Sequence, residues 1–286
     1  MKQQQKPVVT SLSRFLLAVE SVVKKWSPDR TFDPWFRGHG DAALPLVPGL
    51  YRPENEALEE DGLRDEFRRC GWPYLPGAAL EPTDEWEWYF LMRHHSVPSR
   101  LLDWSESALV ACYFALRDAR DGVNAAVWVL DPFALNRKVG RKGDEVLIPS
   151  DKRIRRFLPE PFSNRVLPKY PIALQAPRKS NRIAAQKGVF TLHGSSTKAL
   201  DHYAALRAHL AKITISARHV RLIREQLRLA GISETSVFPD LTALGQELVD
   251  YQNYEHSTHH KASLKRKLAN PRLQPSVAGG SLNRRG

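Results

Sequence analysis

A chain of 286 residues is long enough to bury one sizeable core, and a composition of 42% hydrophobic and 9% aromatic residues excludes wholesale disorder. The net charge of +12, set by 43 Lys and Arg against 31 Asp and Glu, points to a polyanionic partner or a strongly solvated surface. Two cysteines, Cys70 and Cys112, exclude a disulfide framework and lack metal-ligand spacing, while the polar start MKQQQKPVVT and the absence of a bilayer-length apolar run predict a reduced, metal-free, cytoplasmic protein with no membrane association.

Leu12, Phe15, Leu16, Val19, Val22, Val23 and Trp26 recur at helical spacing behind Thr10 and Ser11, and predict an amphipathic first helix closed by Pro28. Pro34 to Arg37 predict a short strand ended by Gly38 and Gly40. Two helices follow, over the acidic run Asn55 to Arg69 and the aromatic segment Asp84 to Met92, in a region (54–91) with eleven acidic and three basic residues, a net −8. Leu101 to Trp104 predict a second short strand. Ser107 to Leu116 predict a buried helix whose Ala108, Ala111 and Ala115 permit close packing. AAVWVL is a strong β-run.

From Pro132 to Asn181 periodicity is lost, and long loops over the sheet are expected. Residues 137–182 carry thirteen basic and four acidic residues, a net +9. GVFTLHG predicts a strand, Leu200 to Leu210 a helix and KITISA another strand. A helix capped by Ser216 carries Val220, Ile223, Leu227 and Leu229 and ends at Gly231; a last one starts at Pro239 with Leu241, Leu244 and Leu248 on one face. Residues 252–286 hold seven basic residues and one acid, a net +6, without a core pattern. Strands mix with helices without regular βαβ alternation, so the expected fold is α+β: a mixed β-sheet core with flanking helices over residues 1–255, then a disordered basic tail, 256–286.

The stretch RHHSVPSRLLDWSESALVACYFAL, Arg93 to Leu116, sets histidines, arginines and carboxylates between apolar segments, where polar groups cost free energy unless each is paired. Upstream, WFRGHGDAALPLVPGLYRP has the same character. These segments resemble the FRG family, named for Phe36-Arg37-Gly38, and AAVWVLDP, NRIAAQKGVFTLHG, ITISA and GISETSVFPDL are similar to further blocks of that family in its order. The resemblance spans roughly Trp35 to Leu241.

The layout of the FRG family is similar to that of ADP-ribosyltransferases, and its members look like toxin or phage-defence effectors. The resemblance therefore implies NAD as substrate and a macromolecular acceptor, with RNA as a candidate because the basic stretch 137–182 adjoins the site blocks. It also implies an antitoxin-like protein partner. Arg37 then matches the arginine that holds the dinucleotide, beside Gly38, which permits close backbone approach; the other reading of Arg37 is an ion pair with Asp103 or Asp41. Arg100 and Gln186 complete the expected cofactor-binding set.

The expected catalytic set is His95, Asp103, Glu106 and Glu145. His95 either bonds a backbone carbonyl or takes part in catalysis. Asp103 either orients Arg37 or Arg100 or binds a ribose hydroxyl, and Trp104 either stacks on a base or fills the core. Glu145, in GDEVLIP, has the local pattern of the carboxylate-bearing strand; the overall order of blocks instead puts Gln186 or Gly188 there and leaves Asp103 or Glu106 to supply the charge. The alternative to an enzyme is a non-catalytic nucleic-acid-binding module.

Overall fold

The computed structural model describes residues 8–26, 33–75, 82, 84–158 and 166–253. The apolar runs form seven strands: β1 (Val8–Val9), β2 (Trp35–His39), β3 (Leu101–Ser105), β4 (Ala125–Leu130), β5 (Ile172–Leu174), β6 (Gly188–Leu192) and β7 (Leu210–Ile215). They make one sheet in the order β1-β7-β4-β2-β3-β6-β5. Among the seven strands β1 and β7 pair in parallel and the other neighbours are antiparallel, so the sheet is mixed. β4 lies at the centre of its half of the sheet and is buried along its whole length, which is why AAVWVL is continuously apolar rather than alternating.

The helices are α1 (Leu12–Trp26), α2 (Glu60–Gly71), α3 (Glu85–His94), α4 (Ala108–Arg117), α5 (Pro132–Ala134), α6 (Asn181–Ala185), α7 (Val220–Leu229), α8 (Glu234–Val237) and α9 (241–253). Asp84 and Ser107 start α3 and α4 by accepting hydrogen bonds from Glu87 N and Val110 N, at 2.9 and 3.4 Å. One face of the sheet packs Phe36, Val127, Val129, Ile213 and Ile215 against α1, α4 and α7. Farther along the sheet, Leu101, Phe190 and Leu192 pack on Tyr89, Phe90 and Met92 of α3. Trp35, Trp104, Trp128 and Leu130 join a separate cluster with Leu46, Leu200 and Tyr203. The expected α+β architecture with a mixed sheet and flanking helices is present.

Several local expectations change. β2 does not stop at Gly38 but runs through it to His39, because the strand is paired with β4 from Trp35↔Leu130 to His39↔Ala126. The acidic run follows 3-10 turns at Gly49–Tyr51 and Pro53–Asn55, and its α-helix begins only at Glu60 rather than at Asn55. The helix expected over Leu200 to Leu210 is replaced by two 3-10 turns, Leu200–His202 and Ala204–Leu206. Tertiary pairing decides this: Leu200 N donates to Leu46 O at 2.9 Å, and Asp201 Oδ1 accepts from Leu46 N at 2.9 Å.

Between Pro132 and Asn181 the described residues hold more structure than expected, including α5, a π-helical segment Leu135–Gly140, a 3-10 segment Lys152–Phe157 and β5. Buried Asn136 stitches them together, accepting from Ala173 N at 2.6 Å and donating to Glu145 O and Ala173 O at 2.6 and 3.1 Å. The domain boundary at 255/256 and the basic tail 256–286 lie outside the described residues.

Candidate functional site

The ladder between β2 and β3 holds at a single register position, Phe36↔Ser105, whereas each strand pairs over five positions with its other neighbour. A cleft of about 240 Å³ opens at this parting, between α4 and α3. Its lining includes Arg37 and Gly38 from β2, Asp103 from β3, Arg93 and His94 from α3, and Arg182 from α6. Phe36, Phe90, Phe114 and Phe190 supply aromatic wall, and Phe90 stacks on Phe190 with ring centroids 5.4 Å apart.

Arg37 fills the parting. Register and alternation place it on the face of Trp35 and His39, yet its guanidinium bridges the two strands: Nη1 donates to the Asp103 carbonyl at 2.6 Å and lies 3.7 Å from the carboxylate. Nε donates to His39 Nε2 at 3.1 Å. Burial pulls Arg37 down to about 10, with Asp103 offsetting part of that effect, so it stays cationic at neutral pH. The His39 ring accepts and is therefore neutral; burial and the adjacent Arg37 push its pKa down to about 3.

Two carboxylates line the cleft, Asp118 just past α4 and Asp103, and Asp103 is the one the arginines hold. Arg93 grips it through Nε at 3.1 and 3.2 Å and Nη2 at 2.5 Å. Burial opposes ionisation, but Arg93, with Arg37 behind it, outweighs burial and holds the carboxyl below its ordinary value. Even so, the side chain is 42% exposed, open to a ligand. His94 is pushed down to about 4 by burial and by nearby Arg182, and is neutral at pH 7.

Gly38 has a different use from the one expected. A Cβ there would lie 2.1 Å from Ala111 O and 2.4 Å from Ala115 N, so the backbone that approaches closely is helix α4. Gly38 still lines the cleft. Gln186 lines it too, but its side-chain amide donates to Val237 O at 3.3 Å, and its backbone carbonyl accepts from Ser105 Oγ at 2.7 Å. Trp104 is buried and donates its indole N–H to Thr191 Oγ1 at 3.1 Å, which favours the core-filling reading.

The structure does not bring the remaining expected residues into the cleft lining. Arg100 is 1% exposed and braces the fold: it pairs with Glu60 and donates to His193 O and Phe157 O at 3.1 and 2.5 Å, leaving its guanidinium committed to protein groups. His95 is the C-cap of α3, exposed, with its ring near Phe67 and His94. Glu106 pairs with Arg178 just past the end of β3. Glu145 is 71% exposed and pairs with Arg153 at 2.6 Å. In turn, Arg93, His94 and Arg182 line the cleft without having been singled out. Arg93 and His94 open the polar stretch noted in the sequence; Arg182 lies in the basic stretch, with no local signal to separate it from its neighbours.

Among the described residues no cluster of His, Cys, Asp or Glu could hold a metal ion, and no helix is long and apolar enough to cross a membrane. The FRG domain family matches residues 33–123, which run from β2 through α4 and include Arg37, Gly38, Arg93, His94 and Asp103. The later blocks, with Gln186 and Arg182, lie beyond that match. No curated protein and no solved structure matches the chain.

Proposed function

We propose that the cleft binds NAD and that the protein is an ADP-ribosyltransferase acting on a macromolecular acceptor, with RNA the first candidate. The observation that carries this reading is the opened β2–β3 ladder, where arginines, aromatic walls and the partly exposed, arginine-held carboxylate of Asp103 meet. Guanidinium groups suit a pyrophosphate and aromatic rings suit a nucleoside or nicotinamide face. In the transfer, the bond between the ribose carbon and nicotinamide breaks, and its electron pair leaves with nicotinamide. An acceptor oxygen or nitrogen bonds to that carbon and its proton passes to solvent.

Within this reading Asp103 stabilises the positive charge that develops on the ribose, a demand shared with glycoside hydrolysis. Arg93 and Arg37 keep it ionised and fixed. The basic stretch 137–182 supplies charge to attract a polyanionic acceptor. The similarity of the FRG blocks to toxin and phage-defence effectors is the ground for proposing an antitoxin-like protein partner.

A second reading, a non-catalytic nucleic-acid-binding module, is favoured by one observation: Asp103 is already paired with two guanidiniums and has less free charge to offer a cationic transition state. Release of nicotinamide from NAD by the purified protein, with and without RNA, separates the two. Time-dependent release supports the transferase. RNA binding with neither NAD binding nor release overturns it in favour of the module.

A further inference from the structure

Arginines lining the cleft differ in what they have left to give. Arg37 spends Nε on His39 and Nη1 on the Asp103 carbonyl, and Arg93 spends Nε and Nη2 on the Asp103 carboxylate. The Arg182 side chain makes no hydrogen bond and no ion pair among the described residues, while its backbone carbonyl accepts from Gln186 N at 2.9 Å. Its one close partner is the Phe238 ring, with the guanidinium carbon 4.7 Å from the centroid. A guanidinium held by its π-face keeps its N–H edge available, since stacking uses the face and hydrogen bonds use the rim.

The surrounding structure fixes that presentation. Phe238 also carries Arg117, 4.5 Å from the ring centroid, and Arg117 pairs with Glu234 at 3.2 Å. Tyr113 donates to Glu234, and Gln186 donates to Val237 O at 3.3 Å. The segment 234–238 is thus tied to α4 and to the α6–β6 turn, and it holds Arg182 at the cleft margin. Burial lowers the Arg182 pKa; the Asp103 carboxylate opposes that shift and the positive charge of Arg117 adds to it.

We propose that Arg182, stacked on Phe238, is the phosphoryl-binding residue of the cleft, and that Phe238 is its positioning residue. This rests on the reading of the cleft as a nucleotide site. It moves the phosphate anchor from Arg37, whose contacts tie β2 to β3, to a side chain outside the matched FRG segment. The ligand class is a nucleotide diphosphate, with its phosphoryl oxygens on the Arg182 rim and its ring on the aromatic wall.

Calorimetric titration with ADP, with adenosine as the phosphate-free control and NAD alongside, tests the assignment. Arg182→Ala should weaken ADP binding roughly tenfold to a hundredfold, the scale of a lost charge-assisted bond, and leave adenosine binding unchanged. Arg182→Lys should recover part of the loss. Phe238→Leu should cost less than Arg182→Ala and add nothing in the double variant, as a residue acting only through Arg182 must.

Wild-type ADP affinity in Arg182→Ala, or an equal loss of adenosine, overturns the proposal while leaving the NAD reading intact. Arg182-dependent ADP binding without nicotinamide release from NAD supports the phosphoryl site and sinks the transferase. Failure of the wild-type protein to bind ADP or NAD overturns both.

Discussion

Arg37 and Asp103 face each other across the parting of β2 and β3, with Arg37 Nη1 2.6 Å from the Asp103 carbonyl oxygen and 3.7 Å from its carboxylate. The side chain does there what a strand-to-strand backbone bond does elsewhere in the sheet, and it keeps the cleft open while holding its two walls together. A charged donor on a backbone acceptor is strong, and losing it leaves that carbonyl short of a partner.

Arg37→Ala should therefore lower both stability, by about 1–3 kcal/mol, and NAD turnover. Arg37→Lys should recover stability in part, since an ammonium can reach one acceptor but cannot serve Asp103 and His39 with a fixed fork. Urea unfolding run beside the nicotinamide assay checks this. Full stability in the alanine variant would mean that the strands are held together without the bridge.

Gly38 calls for a purely steric test. With Ala111 O 2.1 Å and Ala115 N 2.4 Å from a would-be Cβ, Gly38→Ala forces α4 away from β2, and the obstructing atoms are backbone rather than a flexible side-chain end. Overpacking of this kind costs about 1–3 kcal/mol or more. A drop in the urea midpoint at unchanged m-value is the expected signature. An unchanged midpoint would contradict the close crossing.

The sequence made the fold legible where local pattern and burial agree. β4 is apolar throughout because it is covered on both sides, and the alanines of α4 are small because that helix crosses β2 at Gly38. It misled where long-range bonds decide the conformation, as with Leu200 and Asp201 on Leu46, or Asn136 on Ala173. The site shows the same division. Arg37, Gly38, Asp103 and Gln186 meet, but Arg100 is bound up in a buried pair with Glu60, and Arg182 is placed by Phe238, 56 residues later by their numbers. No spacing rule reports which of several arginines has its donors already used.

Acid should destabilise the protein earlier than its carboxylates alone require. His193 and His39 are held at about 3, by burial first and by neighbouring arginines next, against an ordinary value of 6.5. Between those values the unfolded chain binds protons that the folded chain does not, so stability is full above about pH 6.5 and falls as the pH drops toward 3. Urea midpoints at pH 7.5, 6.0 and 4.5 should decline steadily. His193→Gln, which cannot titrate, should flatten that slope; a level wild-type profile over this range would show that neither ring is buried neutral.

The carboxylate assignment gives the sharpest test of chemistry. Asp103→Asn keeps the shape of the side chain but removes the charge next to the proposed ribose site, and nicotinamide release should fall by roughly a hundredfold or more, the scale set by one preorganised electrostatic group. Glu145→Gln should be nearly silent, because that side chain is 71% exposed and its contact is with Arg153 rather than with the cleft. Glu106→Gln should fall between them, since Glu106 adjoins Ser105 yet is held by Arg178. Asp103→Asn also frees Arg93 and Arg37 from their counter-charge, so ADP binding serves as the control: it should hold or tighten in a folded variant that has lost only catalysis. Wild-type release in Asp103→Asn would remove Asp103 from the chemistry, and if Glu145→Gln were then the crippled variant, the acid would have to come from the loop that carries Glu145, ahead of the 3-10 segment with Arg153.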